Sequence, residues 1–221
     1  MKKLVTTLII KLFILYASFA QTATWSLKAP LGNDINSKED AGMVTLNNKL
    51  YILGGYGYLS SNHFSEYDPA TGQIRKLQSL GNTNFGGGCL FAVKGKIYSF
   101  ESHHGVSIYD VEDDLWTYYF VSLPSGLTPD AGFVINDTIF ITSTQEKYFY
   151  SYNVVTNKFT RRADLPGDAK NRVGVAFALN GKGYWGGARN TNTNDCYAYP
   201  GCQNNRFYEY DPETNTWLQK A

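Results

Sequence analysis

Cysteine, methionine and histidine are all scarce in this chain of 221 residues, which holds three, two and three of them. Three cysteines cannot build a disulfide framework. Three histidines, of which His103 and His104 are adjacent and His63 lies far off, give no metal-ligating spacing; neighbours on a strand point to opposite faces. Charge of either sign is not in excess, with 20 basic against 19 acidic residues. No basic cluster is present to collect phosphates, so no nucleic-acid partner is expected. Long apolar runs are missing too: the one N-terminal candidate, Leu4 to Tyr16, is broken by Lys11. It falls short of the roughly 20 residues that span a bilayer, and no membrane span is expected. Runs of Ala, Leu, Glu and Lys at helical spacing are sparse, which argues against a helical fold.

What the chain does have is 17 tyrosines, 13 phenylalanines and 21 glycines. Aromatic and β-branched residues punctuated by Gly and Asn indicate an all-β protein. Residues 1–20 read differently. Lys2 and Lys3 precede the apolar stretch, and Ala17-Ser18-Phe19-Ala20 places small residues where a signal peptidase cuts. The expectation is a signal peptide over 1–20, cleaved near Ala20, and a secreted, periplasmic or cell-surface protein. Without those residues the balance becomes 17 basic against 19 acidic. Cys196 and Cys202 then meet oxidising conditions, and a local disulfide pinning their loop is expected, ahead of two free thiols or a zinc pair. Cys89, inside the apolar run Cys-Leu-Phe-Ala-Val, reads as a small buried hydrophobe.

Four segments share one layout. Asn47 to Gly55 is followed by Tyr67 to Ile74; Lys94 to Tyr98 by Tyr109 to Trp116; Asn136 to Phe140 by Tyr152 to Phe159; Asn180 to Gly187 by Tyr210 to Trp217. Tyr51, Tyr98, Phe140 and Tyr184 are 47, 42 and 44 residues apart, and the step from the second landmark tyrosine to the last large apolar residue is always seven. Each repeat reads as a short apolar strand, a polar turn, a second strand, a third ending at a Tyr-Asp-Pro corner, and a fourth opened by Trp, Phe or Ile. Asn-Gly, Lys-Gly and Asn-Asp supply the positive φ angles of two-residue hairpins. Gly54-Gly55 and Gly186-Gly187 mark close backbone approach. Four antiparallel strands in about 45 residues make a propeller blade.

The di-glycine, the Tyr-Asp-Pro corner and the spaced Trp together resemble the kelch repeat, over nearly all of residues 23–220. Repeats two and three depart from it, with Ser99-Phe100 and Ile141-Thr142 in place of the di-glycine, and Asn153 stands where Asp is usual. The resemblance implies a kelch β-propeller over 21–221, with repeats at about 40–80, 86–124, 130–166 and 172–221. Trp25 reads as a leading fourth strand. Four repeats fall short of the six or seven blades usual in kelch rings, so this array is expected to be part of a larger ring.

Propeller function lives in the loops of one face. The loops between second and third strands run roughly 56–63, 101–105, 143–147 and 188–206, and those between blades roughly 31–40, 79–86, 124–130 and 166–172. The 188–206 loop carries Arg189, Tyr197 and Tyr199, and the first loop carries Tyr56 and Tyr58. Aromatic, amide-rich loops suit a sugar or a peptide. The chain lacks the two histidines, two tyrosines and Cys–Tyr cross-link of galactose-oxidase-like copper sites. It also resembles the kelch-type sialic acid mutarotases. That resemblance implies that Arg172 and Arg189 pair with a substrate carboxylate, and that Glu101 or Asp130 serves as acid or base. No nucleophilic triad or zinc motif appears, and Gly86-Gly87-Gly88 precedes a strand rather than opening a helix, so it is no phosphate loop. No cofactor or metal is expected. The sequence points to non-catalytic recognition of a protein or glycan ligand at the propeller loop face, with Arg172, Arg189, Tyr197, Tyr199, Tyr56 and Tyr58 as contacts. A sugar-acid mutarotase or epimerase, or another kelch-type enzyme, is the alternative.

Overall fold

Asn, Asp, Lys and Gly at positive φ angles turn the chain into hairpins, and the described residues form sixteen strands. The structure is a computed structural model describing residues 41–55, 62–81, 89–101, 105–119, 121–143, 146–166, 172–190 and 206–220. All lie within the unit Leu31–Ala221. Blade 1 comprises β1 (Gly42–Leu46), β2 (Lys49–Leu53), β3 (Phe64–Asp68) and β4 (Gln73–Leu77). Blade 2 comprises β5 (Cys89–Val93), β6 (Lys96–Glu101), β7 (Gly105–Asp110) and β8 (Leu115–Tyr119). Blade 3 comprises β9 (Pro129–Ile135), β10 (Thr138–Ser143), β11 (Phe149–Asn153) and β12 (Lys158–Arg161). Blade 4 comprises β13 (Arg172–Leu179), β14 (Lys182–Asn190), β15 (Phe207–Asp211) and β16 (Thr216–Gln219). Each blade is an antiparallel sheet with its strands in sequence order. Among the described residues no helix is long and apolar enough to cross a membrane.

The first hairpin of every blade turns on two positive φ angles: Asn47 and Asn48, Lys94 and Gly95, Asn136 and Asp137, Asn180 and Gly181. These are the mirror-image turns whose twist matches that of the flanking strands. The corner before the fourth strand is built twice over. The first side chain after the landmark tyrosine caps the backbone ahead of it: Asp68 accepts from Ala70 N at 2.8 Å, Asp110 from Glu112 N at 3.0 Å and Asp211 from Glu213 N at 3.0 Å. Asn153, the departure from the usual Asp, does the same for Val155 N at 2.9 Å. Five residues after the tyrosine a left-handed residue closes the turn, Asp114, Asn157 or Asn215, and its side chain accepts the tyrosine hydroxyl at 2.5, 2.8 and 2.8 Å.

The core lies between blades rather than within them. The first strands of successive blades lie side by side, β1 against β5, β5 against β9 and β9 against β13. Apolar clusters fill the junctions, for example Tyr51, Leu53 and Phe64 of blade 1 with Ile97, Tyr109 and Trp116 of blade 2. Polar bonds stitch two junctions from outside. Trp116 Nε1 donates to Gln78 O at 2.9 Å while Asp114 accepts Gln78 N at 3.1 Å. Trp217 Nε1 donates to Ala163 O at 3.1 Å while Asn215 accepts Ala163 N at 3.0 Å. Each such bond contributes about 1 kcal/mol.

Candidate functional site at the loop-face end of blades 3 and 4

Two irregularities in the strand ladders lie at the same end of neighbouring blades. In blade 3, Thr142 pairs with Ala131 but Ser143 pairs with Pro129, so Asp130 is the extra residue of a β-bulge. In blade 4 the register shifts between Val173 and Val175, and Gly174 sits in that break. Bulges re-aim side chains and end regular pairing, which makes them useful at sites.

The blade 3 bulge is held by hydroxyls. Thr142 Oγ1 accepts Ala131 N at 3.2 Å and donates to Ala131 O at 2.9 Å. Ser143 Oγ donates to Gly126 O at 2.9 Å and accepts Thr128 N at 3.0 Å, tying the incoming connection to the end of β10. Asp130 therefore stands on a fixed backbone. Its carboxylate faces the Gly174 N–H at 3.5 Å, a long and weak bond. Burial raises the Asp130 carboxyl to about 7, and the Gly174 amide offsets only a little of that. Cys89 lies close enough for the Asp130 charge to act on it; burial first, and Asp130 second, push its thiol up. Cys89 is free and buried, the small hydrophobe that its apolar strand requires.

Gly174 has no room for a side chain. A Cβ there would lie 2.7 Å from Trp185 Nε1 and 3.1 Å from Gly186 O. Trp185 is fully buried, and its Nε1–H has no hydrogen-bond partner among the described residues. An acid with a neutral-range pKa and an unpaired buried donor thus flank one glycine. Such groups mark candidate sites, since burying them costs stability that packing alone does not require.

Arg172 and Arg189 are on strands, not in loops as their sequence suggested. The β13–β14 ladder continues beyond the Gly174 bulge, with Arg172 opposite Asn190 and Val173 opposite Arg189. The backbones of both arginines thereby flank the bulge. Glu101, the other acid singled out, ends β6 opposite Gly105, buried, and accepts Ser99 Oγ at 3.3 Å. Tyr56, Tyr58, Tyr197, Tyr199, His103, His104, Cys196 and Cys202 lie outside the described residues, as do Trp25 and residues 1–20, where a signal peptide was expected. Among the described residues no cluster of three or more His, Cys, Asp or Glu is arranged to hold a metal. The bulge, Thr142, Ser143 and Trp185 escaped sequence reading. For Thr142 alone there was a signal, the replacement of the di-glycine by Ile141-Thr142 in repeat three.

The Kelch motif family model matches residues 39–81, which contain all of blade 1. The chain is also similar to the N-acetylneuraminate epimerase of Pasteurella multocida (strain Pm70), 35% identical over 101 residues, 44% of this chain. The match spans about a quarter of that relative's length, 25%. With a Kelch motif at residues 39–81 and four four-stranded meanders, each turned at a capped tyrosine corner and packed blade on blade, the chain is built as a kelch-repeat β-propeller.

Proposed function

We propose that the loop-face end of blades 3 and 4 binds a sugar acid and catalyses its epimerisation at the anomeric carbon, in an exported protein. The observation that carries this reading is Asp130, an acid of pKa about 7 aimed by a bulge that Thr142 and Ser143 lock in place. The similarity to an N-acetylneuraminate epimerase supplies the substrate class. Exchange at an anomeric carbon breaks the ring C–O bond and closes it on the opposite face, with no oxidant or reductant. The ring oxygen takes a proton on opening and returns it on closing, while the anomeric hydroxyl gives one up and regains it. A carboxyl with both forms populated at neutral pH suits that alternation. Arg172 and Arg189 are assigned to the substrate carboxylate, which planar guanidinium groups recognise in bidentate fashion.

The test adds the full chain to a freshly dissolved single anomer of N-acetylneuraminate and follows equilibration by proton NMR. Acceleration over buffer is expected, with a loss of at least about 100-fold in Asp130→Asn. Equilibration at the buffer rate overturns the catalytic reading. If the sugar's resonances broaden without acceleration, the site is one of non-catalytic glycan recognition, the function the sequence pointed to first.

A further inference from the structure

Successive blade junctions share one register and differ in what fills them. On the inner strands, Phe91 of blade 2 and Phe133 of blade 3 seat against Gly132 and Gly183 of the next blade. A Cβ on Gly132 would lie 2.7 Å from the Phe91 ring, and one on Gly183 would overlap the Phe133 ring. Blade 1 has the smaller Val44 at that position, packed with Leu90 and Ile97. On the outer strands the filler is a cation. The residue before the landmark tyrosine is Glu66 in blade 1, and it holds Arg75 at 3.3 Å, whose second nitrogen reaches Asp114 of blade 2 at 3.9 Å. In blade 3 that residue is Ser151, which accepts Arg162 Nε at 2.9 Å, with the guanidinium 5.8 Å from the centre of the Phe140 ring. In blade 4 it is Glu209, which holds Lys220 at 3.3 Å.

Blade 2 departs from this pattern. Ile108, opposite Tyr98, stands where Glu66 is opposite Tyr51 and Ser151 opposite Phe140. Its partner on the outer strand is Thr117, where blade 1 has Arg75. That strand, Leu115–Tyr119, offers no cation, and the place is open. A cavity of about 340 Å³ lies there, between blade 2 and the corner turn of blade 3. Pockets that hold small ligands begin at roughly 300 Å³. Buried Tyr98 and Ile108 form its apolar floor, and Asn157 stands where Asp114 meets Arg75 one junction earlier. Lys96, Asp110 and Asp113 line its rim; Lys96 is ion-paired with Asp110, which leaves the exposed Asp113 as one negative charge in excess. Leu115 and Val155, 48% and 73% exposed, continue the rim as bare aliphatic surface. The Lys96–Asp110 pair ends the β6–β7 ladder away from Glu101 and Gly105, so this cavity and the Asp130 bulge lie at opposite ends of their blades.

We propose that this cavity binds an arginine side chain of a partner peptide. The guanidinium takes the place over Tyr98 that Arg162 takes over Phe140, and Asp113 supplies its counter-charge. Planar guanidinium groups stack on aromatic rings and pair with carboxylates, which a compact ammonium does less well. Aliphatic neighbours of that arginine cover Leu115 and Val155. The probe is acetyl-Leu-Arg-Leu-amide, titrated into the isotope-labelled full chain and followed by NMR at the backbone amides of 113–117 and 154–157. The same peptide with citrulline keeps the shape and loses the charge. Saturable shifts at those amides are expected with arginine, and binding weaker by at least about fivefold with citrulline. Asp113→Asn, at an exposed position, should weaken binding about twofold to fivefold. Ile108→Glu with Thr117→Arg rebuilds the blade 1 filling inside blade 2 and should abolish binding while the dispersed amide spectrum is kept. Absence of saturable shifts, equal binding of the citrulline peptide, or binding that survives both variants overturns the proposal. So does equal affinity for arginine amide alone, which makes the cavity a small-molecule site.

Discussion

The hydroxyl of Tyr67 is buried without a hydrogen-bond partner among the described residues, because the residue five positions on, Gly72, has no side chain to receive it. In the other three blades that place is taken by Asp114, Asn157 or Asn215, each bonded to its tyrosine. Gly72 has φ of +72°, close to the +51° to +54° of those residues, and open space around its Cα. Gly72→Asn is expected to stabilise the chain by about 1 kcal/mol, by satisfying a buried donor and restricting the unfolded chain. Gly72→Ala, lacking the acceptor and disfavoured at positive φ, should lose a similar amount. Urea denaturation of the two variants checks the pair of signs.

Asn215 serves the blade 3–4 junction twice, through Tyr210 Oη at 2.8 Å and Ala163 N at 3.0 Å. Asn215→Ala removes both bonds and places alanine at φ of +54°. A loss of about 2–3 kcal/mol is expected, measured as a lower urea midpoint at unchanged slope.

Gly183 and Phe133 should behave as one unit. Gly183→Ile drives a side chain into the Phe133 ring and is expected to cost about 3 kcal/mol or more. Adding Phe133→Val recreates the Val44–Ile97 arrangement of the first junction, and a double-mutant cycle should recover at least about 1 kcal/mol of coupling. Strict additivity would show that the two positions do not read each other.

Asp130 should give the chain a stability that falls with rising pH. Its carboxyl stands near 7 when folded, above the ordinary value of 3.8, so the folded state holds the extra proton between those limits. Stability declines through that window and levels off above it, by on the order of 4 kcal/mol at most. Asp130→Asn should flatten the profile, read from thermal melts between pH 4 and 8. The same group predicts an epimerase rate with a limb near pH 7.

Much of the blade was legible because its determinants are local. Asn136-Asp137 or Asn180-Gly181 declares a hairpin within two residues, and the Asp68 cap needs only the next two amides. The bond from the tyrosine to the Asp or Asn five residues on was equally local, present in three repeats, and could have been seen. The Asp130 bulge could not, because it depends on how Ser143 pairs across the hairpin. Arg172 and Arg189 were read as loop residues for the same reason: pairing resumes beyond Gly174, and nothing near either arginine announces it. The hollows opposite Phe91 and Phe133 require knowing which blade lies on which.

The phenylalanine-to-glycine junctions bear on how such an array can grow. Gly183 leaves the hollow that receives the Phe133 ring of the preceding blade, and a blade copied whole settles only where its neighbours supply such matching halves. Blades 2 and 3 could not trade places without leaving a void over Val44 and a collision of Phe133 with Leu90 and Ile97. The unit that must match is therefore the seam between two blades, and a change of volume on one side of it calls for a compensating change on the other.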